Sequence, residues 1–178
     1  MKLMLKILPV IVLCITSQSC MVNRYAMEDM NCHDSWGGTV YELKHGKKLV
    51  GTVFDKARMT FPGPQFEIRF TPTLEEILIA DSIICENIPS IVGLAKNYSG
   101  NYYQRSRNRL KRYFRQYVGA ISKDGNRIIW VNLYYHHNDE FFDKFNITEI
   151  IDVLDGGDSK WDVCVNLDKK EVFNLNIN

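Results

Sequence analysis

The second half of this chain alternates, and that alternation limits its fold more than any other feature. Residues 127–135 read Arg-Ile-Ile-Trp-Val-Asn-Leu-Tyr-Tyr, the strongest strand in the sequence. Residues 113–121 precede it, separated by Lys123-Asp124-Gly125-Asn126. Asp-Gly readily supplies the left-handed backbone that a hairpin turn needs. Further on, Trp161, Val163, Val165 and Leu167 alternate with Asp162, Cys164 and Asn166. Phe173, Leu175 and Ile177 do the same with Asn174 and Asn176 after a turn at Asp168-Lys169-Lys170. A period of two places successive side chains on opposite faces of a sheet. Residues 147–154 give a weaker strand pattern that a helix would also fit, bounded by the turn at 155–158.

One segment breaks this period. Thr73-Leu74-Glu75-Glu76 is a capping box, in which the threonine hydroxyl accepts from the Glu76 amide and the glutamate reaches back. The spacing predicts a helix over 74–87, ended by Pro89. Leu74, Ile77, Leu78, Ile84, Cys85 and Ile88 fall on one face of it. Asp81 lies in the middle of that face. A buried carboxylate without a partner is costly, so an arginine or a watered cavity is expected beside it. Asp81 is thus the candidate pocket carboxylate, with a structural ion pair as the plainer reading. Cys85 reads as a small buried core residue.

The resulting fold class is α+β: one main helix packed on a curved antiparallel sheet of four or five strands. By analogy that arrangement is cystatin-like or nuclear-transport-factor-2-like. Residues 39–43 and 49–54 form a hairpin about His45-Gly46-Lys47-Lys48, and residues 66–70 form a further short strand. Residues 20–35 are polar and aperiodic and read as a tether. The domain then covers 36–178.

The N-terminus supplies an address. Lys2 and Lys6 precede the uncharged run 7–15. Nine helical residues span only about 13 Å, at roughly 1.5 Å each, whereas a bilayer core needs about 20. The run suits a secretory signal over residues 1–19. Ser17 and Ser19 fit ordinary signal peptidase, while Ser19-Cys20 also fits the end of a lipobox. Both readings cleave before Cys20. Acylation of Cys20 would place the protein in the cell envelope, as a periplasmic or outer-membrane lipoprotein held to the membrane by its N-terminal lipid; the alternative is secretion. Without Lys2 and Lys6 the 22 basic residues become 20, against 21 acidic ones. That balance gives no global attraction to nucleic acid. Disulfide pairing among Cys20, Cys32, Cys85 and Cys164 stays open, and their spacing does not resemble a zinc site.

The signal ending in Ser19-Cys20, the segment 115–119 before a hairpin, and Asp155-Gly156-Gly157 followed by Trp161 and two alternating strands resemble uncharacterised lipoproteins of gut-dwelling Gram-negative bacteria. The resemblance covers roughly the last 70 residues. It implies an envelope address and carries no activity or functional residues.

No nucleophile motif is present, no cofactor is implied and no metal site is assigned. His136-His137 with Asp139 and Glu140 is a polar strand end, since adjacent histidines on a strand diverge. Asp155 and Asp158 lack the spacing of a calcium loop. Cys164 would need a neighbouring base to act as a nucleophile. Two surfaces stand out as candidate binding sites. If Ile129, Val131, Leu133 and Tyr135 face the helix, Trp130, Asn132 and Tyr134 face outward as an aromatic and polar patch. Arg105, Arg107, Arg109, Lys111, Arg112 and Arg115 put six cations in 11 residues, suited to an acidic partner. The sequence therefore favours a non-enzymatic binding module acting on another envelope protein or a glycan. The alternatives are a small ligand-binding or enzymatic domain using Asp81, and a protease inhibitor.

Overall fold

In the computed structural model, residues 25–30, 37–60, 65–92, 113–135, 147–152 and 159–177 are described. Strand β1 (Tyr25–Asp29) lies within the segment expected to be a tether. It pairs antiparallel with β2 (Val40–His45), and β2 pairs with β3 (Lys48–Phe54) as the expected hairpin. The four-residue alternation from Tyr25 to Glu28 is enough for an edge strand, which needs only one partner.

The expectation at 66–70 shrinks to β4 (Arg69–Phe70). Helix α1 (Leu74–Val92) follows. Its start is the capping box: the Glu76 amide donates to Thr73 Oγ1 at 3.3 Å, and the Thr73 amide donates to Glu76 Oε2 at 2.9 Å. Its end differs from expectation. Pro89 removes one backbone donor, yet the helix continues through it to Val92. Ile77, Ala80, Ile83 and Ile84 are buried, whereas Cys85 is exposed. The buried stripe is rotated toward Ala80 and Ile83, which leaves Cys85 outside the core.

The alternating half forms β5 (Tyr113–Ile121), β6 (Arg127–Tyr135), β7 (Lys160–Asn166) and β8 (Glu171–Ile177). Gly125 in the β5–β6 turn has φ +82°, the left-handed conformation that its sequence foretold.

These strands make one eight-stranded sheet in the order β1-β2-β3-β5-β6-β7-β8, with β4 also pairing to β5. This overturns the expected antiparallel sheet of four or five strands and, with it, the cystatin-like and nuclear-transport-factor-2-like analogies. The decisive join is β3 to β5, which is parallel: Gly51 faces Arg115 and Phe54 faces Val118. Parallel neighbours require a crossover, and the chain from β3 to β5, containing β4 and α1, supplies it. β4 occupies the edge of β5 just past the end of β3, opposite Gly119 and Ala120. Gly51 is necessary at the parallel seam. A Cβ there would lie 2.3 Å from the Arg115 carbonyl oxygen.

Helix α1 touches β8 and β7 on one side and β1 on the other. Seven strands laid flat span about 29 Å at roughly 4.8 Å per neighbour, while a helix with its side chains is about 10–12 Å across. The sheet therefore curls around the helix. Tyr25 and Met27 of β1 and Val172, Leu175 and Ile177 of β8 all border the same apolar cluster, with Ile77, Ala80 and Ile84 at its centre.

The outer, convex face is covered too. Residues 147–152, expected as a strand as far as 154, form a turn and an irregular strap in their described part. Both edges of β6 are taken by β5 and β7, so the strap crosses the face. Ile150 packs with Val118, Ala120, Ile128, Trp130 and Cys164. Ile151 packs with Phe114 and Tyr134.

Candidate functional site

Alternation along β6 holds as expected. Ile129, Val131, Leu133 and Tyr135 join the helix-side cluster, and Trp130, Asn132 and Tyr134 point the other way. The outward patch is nevertheless not a surface. Trp130 is 6%, Asn132 1% and Tyr134 8% exposed, because the strap lies over them. The expected binding role of these three residues is corrected accordingly. Trp130 Nε1 donates to Asp162 Oδ1 at 2.9 Å, and Asn176 donates to the other carboxylate oxygen at 3.1 Å.

The strap is held by amide side chains that sequence reasoning passed over. An irregular backbone has no internal partners for its N–H and C=O groups. Gln116 meets both needs: its Nε2 donates to the Glu149 carbonyl at 2.7 Å, and its Oε1 accepts from the Ile151 amide at 2.7 Å. Asn132 Nδ2 donates to the Ile151 carbonyl at 2.8 Å and to Gln116 Oε1 at 3.0 Å. The register of β5 and β6 places Gln116 opposite Asn132. Arg58, 1% exposed, donates through Nη2 to the Thr148 carbonyl at 2.9 Å. Asp55 Oδ1 caps the Ala57 and Arg58 amides at 2.8 Å each. Arg69 ties the same loop to β4 through the carbonyls of Asp55 and Arg58. Paired amides directly opposite one another in two apolar strands were the available signal for this network.

On the helix side the structure brings together Asp81, Arg115 and Tyr117. Arg115 Nη1 donates to Asp81 Oδ2 in an ion pair, and the Tyr117 hydroxyl donates to Asp81 Oδ1 at 3.0 Å. Of the two surroundings expected for Asp81, an arginine or a watered cavity, the structure supplies the arginine. Arg115 and Tyr117 are two apart on β5, so both point at α1. Burial pushes the Asp81 carboxyl above its ordinary range, and Arg115 and Tyr117 draw it back only in part. Burial opposes the charge on Arg115, but Tyr117 and Asp81 outweigh it and hold the guanidinium charged. The Tyr117 hydroxyl is raised well above 10, chiefly by burial. A charged donor, a carboxylate and a tightly held phenol make a rigid knot. Both carboxylate oxygens are occupied from within the chain.

The remaining candidates separate. Burial, with Asp162 nearby, pushes the Cys164 thiol up to about 12, so it is protonated at neutral pH and unsuited to nucleophilic attack. Cys85 and Cys164 are not bonded to each other. Cys20, Cys32, Arg105, Arg107, Arg109, Lys111, Arg112, His136-His137 and the acidic turn at 155–158 lie outside the described residues. Among the described residues no group of three or more His, Cys, Asp or Glu is placed to hold a metal ion, and no helix is long and apolar enough to cross a membrane. No known family, curated protein or solved structure matches this chain.

Proposed function

We propose that the chain is an exported envelope protein, acylated at Cys20, whose domain works as a binding module at the membrane. The observation that carries this reading is the short uncharged run 7–15, followed by Ser19-Cys20 and then by a folded domain. The absence of a nucleophile motif and the internal pairing of Asp81 weigh toward binding over catalysis. Asp81 has both oxygens engaged by Arg115 and Tyr117, which removes the motive for a pocket enzyme built on it. Inhibition of proteases rested on the cystatin analogy alone and goes with it. The partner is another envelope protein or a glycan. With Trp130, Asn132 and Tyr134 covered, the remaining candidate surface is the cationic stretch 105–112.

Mass spectrometry of the mature protein from membrane and soluble fractions tests the address. The expected result is a membrane-borne N-terminus at Cys20 carrying diacylglyceryl mass. An unmodified Cys20 in the soluble fraction would replace anchoring by secretion, and an intact Met1 would end the export reading.

A further inference from the structure

The sheet holds the strap by its backbone. Gln116 bonds the Glu149 carbonyl and the Ile151 amide, Asn132 bonds the Ile151 carbonyl, and Arg58 bonds the Thr148 carbonyl. None of these bonds uses a strap side chain, so they constrain its sequence little. Side chains enter as apolar anchors. Ile150 belongs to the cluster of Val118, Ile128 and Trp130, and Ile147 and Ile151 to that of Phe114 and Tyr134. Main-chain bonds for affinity, with pockets for spaced side chains, are how a sheet protein binds an extended peptide.

The fit of the strap is incomplete. Thr52, Gln116 and Asn132 are neighbours in one row across β3, β5 and β6. Among the described residues, Thr52 Oγ1 and Asn132 Oδ1 have no hydrogen-bond partner, although Thr52 is 0% and Asn132 1% exposed. Asn132 spends its amide hydrogens on Gln116 and the strap, and its oxygen receives nothing in return. A buried polar atom left unmet is costly, so a better occupant of this row can exist than the strap.

We propose that the convex face is a groove for an extended apolar segment of a partner protein, and that the strap fills it in cis until such a segment displaces it. The inference rests on the domain being a binding module. It names the partner's chemistry: isoleucine-like side chains at the first, fourth and fifth positions, as at 147, 150 and 151, and a donor that reaches Asn132 Oδ1. Trp130, Asn132 and Tyr134 are then the floor beneath an occupant and not an open patch. The strap competes at the high effective concentration of a tethered segment. An incoming peptide binds only molecules whose strap is open, so its apparent affinity falls with that fraction.

The experiment titrates the full-length protein with the peptide Asn-Ile-Thr-Glu-Ile-Ile-Asp, the sequence of residues 146–152, bearing an N-terminal benzophenone and a C-terminal fluorophore. Ile150→Ala loosens the strap and leaves the residues of the sheet in place. The peptide should bind this variant about tenfold more tightly than the wild type. Its adducts should map to β5 and β6 near Phe114 and Tyr134. Equal affinity for both proteins, adducts on another face, or equal binding of a peptide with serine at all three isoleucine positions overturns the groove. If Ile150→Ala fails to fold, the wild type at millimolar peptide decides: adducts near Phe114 and Tyr134 uphold the groove, and their absence overturns it. Dextran sulfate, a polyanion suited to the cationic stretch 105–112, separates this inference from the reading beneath it. A protein that ignores the peptide and binds the polyanion loses the groove and keeps a binding role; one that binds neither loses both.

Discussion

The two faces of the sheet solve one problem in different ways. The concave face is covered by α1, whose backbone groups bond within the helix, so the sheet can answer with apolar side chains. Val53, Ile129, Val131, Leu133, Val163 and Val165 do so, and Asp81, Arg115 and Tyr117 form the polar exception. The convex face is covered by an irregular strap, which brings bare N–H and C=O groups with it. Gln116 and Asn132 stand where the helix side has valine and leucine, because an amide both donates and accepts. The lesson is that the secondary structure of the cover sets the chemistry of the face beneath it. A helix permits a greasy face, and a loop requires amides.

Removing an amide should break this contrast most sharply. Gln116→Leu leaves the Glu149 carbonyl, the Ile151 amide and one Asn132 donor without their partner. At roughly 1–3 kcal/mol for each stranded buried group, partly relieved by relaxation, the expected loss is about 4 kcal/mol. Urea denaturation measures it. A loss under about 1 kcal/mol would mean that the strap is held by apolar packing alone.

The polar knot on the concave face should be lopsided. Arg115→Met strands the Asp81 carboxylate and should cost about 3 kcal/mol at neutral pH. Asp81→Asn takes the counter-charge from Arg115 but keeps an amide oxygen for the guanidinium to donate to, and should cost less, about 2 kcal/mol. The pH dependence follows from the upward shift of Asp81. A carboxyl raised in the folded state has its favourable contribution in full below its unfolded pKa, and loses it as pH rises through the folded value. Removing Arg115 raises that value further. The Arg115→Met deficit should therefore shrink on acidification, as Asp81 takes up a proton. Denaturation midpoints of both variants across the acid range check this, and equal, pH-independent losses would contradict the assignment.

The smallest effect tests whether the helix cover is self-sufficient. Thr73→Ala removes the hydroxyl that caps the Glu76 amide and should cost about 1 kcal/mol. Glu76 also pairs with Arg127 at the start of β6, so amide exchange should quicken in the first turn of α1 while the strap is unchanged. Loosening of the strap as well would show that the two covers are coupled through the sheet.

Much of the sheet was legible because its signals are local. The bounds of β5 and β6 follow from alternation and the Asp124-Gly125 turn, and the start of α1 from the capping box. Asp81 was legible as a group needing a partner, and the sequence could not say that Arg115 would be that partner. The strap was misread because Ile147, Ile150 and Ile151 are as good in a strand as under a cover, and only the occupied edges of β6 decide between them. Cys85 was misplaced because a few tens of degrees of helix rotation move it from core to solvent.

By itself, the sequence determined where β5, β6 and α1 begin and which residues of β5, β6 and β7 alternate. Each of these depends on neighbours a few positions apart. The tertiary structure alone decided that β1 joins the sheet, that β3 and β5 run parallel, and that Trp130 and Tyr134 are covered. Those outcomes turn on which strand edges and faces are still unfilled when distant segments meet, and no short-range period records that competition.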